Sequence, residues 1–214
     1  MGEIRDYQKT HADLLRVGRE NFLEYGYEQT KLRKICRDAA VTTGAFYKHF
    51  SDKQALFDEL VKPSIEELKA IYLKKRTDFF QDVKEQELTQ LWITSDDELD
   101  DMIDFIYKNE QTFQLVFFKS QGSHFEDFTE MVTNFSAVNV RQWIEYLQSK
   151  QFVSNEIQLP DKELHFLMYS YYATVIDILK HRYPQEETKR LAKKLYQFVM
   201  PGWMAILEMN EKIY

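Results

Sequence analysis

Between Thr30 and Lys53 the chain has room for two short helices and a tight turn, and for little else. Leu32, Ile35 and Ala39 recur at helical spacing behind Thr30, a residue type suited to an N-cap. Thr42 is a second N-cap candidate and opens a helix to about His49, whose inner face carries Phe46 and Phe50. Helices crossing through so short a turn need a small side chain where they meet. Cys36 stands at that point, with Ala40 in the turn. Ser51 or Asp52 then caps a further helix.

The remainder reads as helix throughout. Six Gly and four Pro in 214 residues argue against a sandwich or barrel with many tight turns. A first helix runs from Ile4 to about Tyr25, with Ala12, Leu15, Gly18 and Phe22 in register and Gly26 as its stop. The helix opened by Ser51 or Asp52 extends to roughly Asp78, and Pro63 is expected to bend or divide it. Residues 79–93 leave a short helix and a loop open as readings. Further helices are expected from Ser95 through Tyr107, over Gln111–Lys119, from Phe125 to about Lys150, from an Asp161 cap to about His181, and from about Gln185 to Asn210 with a disturbance near Pro201-Gly202. The expected fold class is all-α, with about nine helices. A three-helix helix-turn-helix domain over 1–53 precedes a helical ligand-binding and dimerisation domain over 54–214.

Charge separates these two parts. Residues 1–53 hold ten Lys and Arg against eight Asp and Glu, leaving eighteen against twenty-seven for the rest of a chain whose net charge is −7. From Lys31 to Lys53 the balance is six basic to two acidic. Phosphate binding needs local positive charge and not a basic protein. A two-helix pattern alone fits an ordinary helical hairpin as well as a nucleic-acid reader.

Residue identities add to the pattern. Phe22 to Thr30, followed by Ile35 to Lys53 with its Thr42-Thr43-Gly44-Ala45-Phe46-Tyr47-Lys48-His49-Phe50 core, closely resembles the N-terminal signature of the TetR family of bacterial transcriptional regulators. The resemblance covers about the first 60 residues. It implies a two-domain, all-helical homodimer that represses a promoter, binding a palindromic double-stranded DNA operator until a small, largely apolar effector occupies the body. It places Thr30 at a phosphate, and Thr42 and Thr43 at phosphate or base edges. Gly44 allows close approach to DNA, and Ala45 reaches at most a thymine methyl. Tyr47 and His49 match phosphate-contact positions, which Lys53 completes, while Lys48 points outward to a phosphate or a guanine edge. Arg33, with Lys34 and Arg37, forms a general electrostatic face. Three positions depart from the family pattern: Ala40 stands where Gly is usual, Thr43 where Lys is frequent, and Ala45 is small for a base reader. Specificity then rests on Thr43, Lys48, Arg33 and DNA shape.

The body is rich in aromatics. Core packing accounts for most of them, and a hydrophobic cavity is the second reading, with Phe105, Phe117, Met131, Phe135 and Tyr172 as lining candidates. The last two helices carry broad apolar rows that include Leu164, Met168, Tyr171, Val175, Leu191, Leu195 and Phe198. In the resemblance such helices pair with their counterparts in a second copy, which sets two recognition helices about 34–36 Å apart. Core packing within one chain is the competing reading.

Catalysis, a metal and a cofactor are not expected. His165 beside Glu163, Asp177 four residues before His181, and the Asp96, Asp97, Asp100, Asp101 and Asp104 cluster are the only reactive groupings. Each has a plainer reading as a helix pair or helix N-terminus. No signal segment or ~18-residue apolar run appears, so a cytoplasmic protein with no membrane partner is expected. Cys36 reads as a packed, inert thiol. A different-class alternative is a helical interaction module whose head binds protein and not DNA.

Overall fold

The computed structural model describes residues 2–82 and 95–209, so the expected short helix and loop of 79–93 lie mostly outside the described residues. Among those residues every regular element is a helix: α1 (Gly2–Gln29), α2 (Leu32–Asp38), α3 (Thr43–Phe46), α4 (Lys53–Asp82), α5 (Ser95–Lys108), α6 (Glu110–Phe118), α7 (Phe128–Ser149), α8 (Asp161–Lys180) and α9 (Gln185–Ile206). The chain forms two compact units. The first takes in residues up to Lys69 together with Lys108–Phe128, and the second Ala70–Tyr107 with Thr129 onward. The helix-turn-helix therefore sits inside a unit that extends well beyond residue 53 and includes α6.

In the first unit α1 buries Leu14, Val17, Gly18, Asn21 and Phe22. This row is rotated from the expected one, since Ala12 is exposed and Leu15 only half-buried. The reason is the close approach of α4. A Cβ on Gly18 would lie 2.8 Å from Cδ2 of the fully buried Leu56, so the helices meet where α1 has no side chain. Phe22, Tyr27 and Phe57 form an edge-to-face aromatic group with ring centroids 5.0–5.8 Å apart. Gly26 breaks the helical path of α1 at φ 78°, as its glycine predicts. The amide of Tyr27 then donates to the Lys119 carbonyl at 2.7 Å, tying the end of α1 to the end of α6.

Thr30 does not cap α2. The N-cap is Lys31, and the Thr30 hydroxyl turns back to donate to the carbonyls of Gly26 (2.7 Å) and Asn21 (3.2 Å). Thr42 does cap α3, accepting from the Ala45 amide at 3.1 Å, and Asp52 caps α4 through the Ala55 amide at 2.7 Å. Pro63 does not divide α4, which runs on through it, and α9 likewise passes through Pro201. Each proline forfeits one backbone hydrogen bond, a loss that a long helix packed on neighbours absorbs.

In the second unit Trp143, Ile144 and Leu147 of α7, Leu164 and Met168 of α8, and Trp203 of α9 share one core with Leu207. Pro160 and Pro184 set the N-termini of α8 and α9, so Asp161 lies in the first turn and is not the cap. The Tyr107 hydroxyl lies 2.6 Å from the Tyr183 carbonyl, to which it donates, and 2.5 Å from the Thr188 hydroxyl.

The described non-glycine residues with positive φ, Ala40, Gln151, Arg182 and Glu208, all lie just past helix ends. Ala40 shows why. The Val41 amide reaches the Cys36 carbonyl (2.9 Å) and the Ala40 amide reaches that of Arg37 (3.1 Å), a closure that requires a left-handed residue between them. Ala at φ 54° meets that need against its steric preference. Ala40→Gly is therefore expected to stabilise the chain by about 1 kcal/mol. Urea unfolding by circular dichroism checks this: the midpoint moves up with an unchanged slope.

Candidate nucleic-acid interface

The two helices after Lys31 divide their side chains sharply. Ile35, Cys36, Phe46 and Phe50 are buried, while Lys31, Arg33, Thr42, Thr43, Gly44, Tyr47 and Lys48 are exposed and Ala45 half-exposed. Phe46 and Phe50 pack ring to ring at 5.5 Å and hold the inner face of the turn. With those two rings inside, helical spacing sends Tyr47 outward, where it is 59% exposed. The result is a polar, basic and aromatic outer surface on a rigid apolar footing, suited to phosphate contact and groove entry.

Several predicted contacts are held differently from the expectation. Thr30 is 1% exposed and its hydroxyl is spent on α1 carbonyls, so it offers no hydroxyl to a phosphate. The Lys53 ammonium is turned inward. It donates to the carbonyls of Tyr27 (2.6 Å) and Thr30 (3.0 Å) and lies 4.0 Å from the Tyr27 ring centroid. Burial lowers its pKa below that of an ordinary lysine. Lys53 is thus a helix-end cap. It satisfies carbonyls that the break at Gly26 leaves open. Asp38 draws on two more cations, accepting from Lys34 at 2.7 Å and Arg37 at 3.4 Å. Hydrogen bonds from Lys34 and from Asn21 hold its carboxyl below the usual range. Among the basic residues singled out from the sequence, Arg33 and Lys48 keep exposed positions, joined by Lys31. Burial pushes the Cys36 thiol up, as expected for packed sulfur.

His49 is neither a solvated residue nor a simple phosphate ligand. Its ring packs 4.1 Å from Tyr7 and 5.5 Å from His11, and its Nδ1 is buried without a partner. Tyr7 donates its hydroxyl to the Lys48 carbonyl at 3.3 Å, and His11 Nε2 lies 2.6 Å from Glu59 Oε1. Neither Tyr7 nor His11 was singled out from the sequence. Their i,i+4 spacing on one face of α1 was the available signal.

Residues 14–60 match the family model described as bacterial regulatory proteins, tetR family. The chain carries a TetR-family head. Over 104 residues it is 29% identical to the Transposon Tn10 TetC protein of Escherichia coli, covering 49% of this chain and 48% of that one. Over 62 residues it is 40% identical to a probable acrEF/envCD operon repressor of Escherichia coli K12, covering 28% of each. The chain thus spans about half or less of the length of the curated relatives it matches. A solved TetR family transcriptional regulator from Chloroflexus aurantiacus aligns at TM-score 0.60 with 16% identity, over 91% of this chain and 93% of that one, a likeness of fold.

Behind the TetR-family head, the structure redistributes the residues expected to line a pocket. Phe117 belongs to the first unit, packed 5.8 Å from Phe113 and 5.9 Å from Phe128. Phe105, Met131, Phe135 and Tyr172 belong to the second. There Met131 is exposed, Phe135 meets Tyr72 at 5.5 Å and Tyr172 meets Tyr171 at 5.1 Å. The expected interface residues also part company. Leu164 and Met168 are core residues packed with Trp143 and Trp203, and so cannot face a second copy. Tyr171, Val175, Leu191 and Leu195 are half-buried, whereas Phe198 is 83% exposed. The outward apolar groups of α8 are Phe166, 70% exposed, and Tyr169. Both lie out of phase with the row read from the sequence.

The enzyme-like groupings resolve into local pairs. His181 sits beside the Asp177 carbonyl, Asp104 pairs with Lys189, and among the described residues no cluster of three or more His, Cys, Asp or Glu is placed to hold a metal. No described helix is long and apolar enough to cross a membrane.

His49 carries a pH signature. Burial first, then the nearby His11 and Lys48, lower its pKa from the ordinary 6.5. The folded state therefore favours neutral His49, and its contribution is complete above that ordinary value. As pH falls below it the unfolded chain takes the proton first, so stability drops until the folded pKa is passed. Melting temperatures at about pH 7.5 and about pH 5 are expected to differ more in the wild type than in His49→Phe, which keeps the ring stack without the titration. Equal pH differences in the two proteins would contradict this.

Proposed function

We propose that this chain is a ligand-responsive, DNA-binding transcriptional repressor that acts as a homodimer on a palindromic operator and is released by a small, largely apolar effector. The observation that carries the reading is the surface built on Phe46 and Phe50, where Thr42, Thr43, Gly44, Tyr47 and Lys48 all face outward from a buried apolar footing. The similarity of the head to a relative named as an operon repressor supports the sense of regulation. Residues 1–53 supply the DNA-reading part and the helices of the second unit the effector and dimer functions. Base reading falls to Thr43, Lys48 and Arg33, with DNA shape supplying discrimination where Ala45 is too small to do so.

Duplex DNA from upstream of the chain's own gene, titrated at several salt concentrations, tests the head. Binding is expected to weaken steeply with salt. Lys48→Ala should reduce the log–log salt slope by about one and weaken binding across sequences. Tyr47→Ala should weaken it by about tenfold without loss of helicity. Salt-insensitive binding, or a head that captures protein and ignores DNA, would overturn the reading.

The dimer is carried by the outward apolar side chains Phe166, Tyr169 and Phe198, which two-fold pairing would cover. Phe198→Glu is expected to convert a dimer into a folded monomer by analytical ultracentrifugation, while Leu164→Ala should cost about 2–5 kcal/mol of stability as a core truncation.

A further inference from the structure

Tyrosines in the second unit are treated unequally. The Tyr107 hydroxyl has two partners, Thr188 and the Tyr183 carbonyl, and so behaves as a structural tyrosine. The Tyr171 hydroxyl has no hydrogen bond among the described residues, although burial pushes its phenol well above the ordinary range. Withdrawing a hydroxyl from water without a partner costs the full desolvation of that group, so a native chain keeps such a group only with a reason.

Its surroundings suggest the reason. The Tyr171 ring stands edge-on to Tyr172 at 5.1 Å, and Tyr72 stacks on Phe135 at 5.5 Å. Among the described residues the ionisable groups that act on Tyr171 are two other phenols, Tyr196 and Tyr72, with no carboxylate, ammonium or guanidinium. An ion brought here would lose its water and gain no counter-charge. A neutral molecule would keep its apolar contacts and supply the one partner that is missing.

Building on the proposed effector-binding role of this unit, we propose that the Tyr72, Phe135, Tyr171, Tyr172 and Tyr196 cluster is the effector site, with the Tyr171 hydroxyl as its hydrogen-bonding anchor. The ligand class is a neutral, largely apolar molecule with an aromatic ring and a hydrogen-bond acceptor such as a ketone oxygen. The phenol donates to that oxygen while the surrounding rings cover the apolar frame.

Three probes on one frame test this with the full chain: 4-phenylbutan-2-one, butylbenzene and 4-phenylbutyrate, titrated calorimetrically against wild type and Tyr171→Phe. Wild type is expected to bind the ketone about five- to tenfold more tightly than the hydrocarbon, the worth of one neutral hydrogen bond, and the carboxylate most weakly. In Tyr171→Phe the ketone should fall to the level of the hydrocarbon, whose own affinity is unchanged. Thermal melting gives a second readout that needs no ligand. Removing an unpartnered phenol oxygen should leave the melting temperature the same or higher, whereas a tyrosine with a structural bond would lose stability. Equal binding of ketone and hydrocarbon by wild type, a preference that survives in Tyr171→Phe, no binding of any probe, or a lowered melting temperature overturns the assignment. Salt-dependent DNA binding retained in any of those cases leaves the regulator reading standing, so the two failures are distinguishable.

Discussion

A four-residue helix has no stability of its own, because nucleating a turn fixes several dihedrals for very few hydrogen bonds. α3 exists because Phe46 and Phe50 are buried against the rest of the first unit and because Thr42 closes its start. Burial of such a ring is worth about 1.5–3 kcal/mol, more than the intrinsic preferences of so short a segment. That anchoring also fixes the phase of the turn. Once Phe46 points inward, Thr43, Tyr47 and Lys48 have no direction left but outward. The proposed DNA surface is thus a consequence of two phenylalanines.

The same economy explains which polar groups remain on that surface. The break at Gly26 leaves carbonyls at the end of α1 unsatisfied, and Thr30 and Lys53 are drawn inward to meet them. Asp38 gathers Lys34 and Arg37. Helix ends are closed by Ala40, Gln151, Arg182 and Glu208 in left-handed backbone without a glycine, so local strain is accepted where a continuous helix would carry the chain off its core. The positive charge that stays exposed is smaller than a count of Lys and Arg suggests.

In the second unit the broad apolar rows of α8 and α9 are wide because two demands share them. Leu164, Met168 and Trp203 fill the core, while Phe166, Tyr169 and Phe198 look outward. Tyr171 fits neither demand, being withdrawn from water with its hydroxyl unmatched. Its neighbours are rings and not charges, which sets it apart from the well-partnered Tyr107.

Local chemistry was legible in the sequence wherever the partner of a group is near in the chain. Helical periodicity, the stop at Gly26, the caps at Thr42 and Asp52, the strained turn at Ala40 and the inward pair Phe46 and Phe50 all depend on residues within a turn or two. Tertiary structure alone decided the roles that depend on distant partners. Lys53 finds the end of α1, His49 finds Tyr7 and His11, and Leu164 finds Trp143. The row on α1 turned to let Leu56 meet Gly18. A periodic pattern shows that a helix has an apolar face but not what covers it, since burial is set by contacts far apart in the chain. The run from Thr30 to Lys53 marked the head from the outset, and the fold then assigned which of its residues look outward and which hold it together.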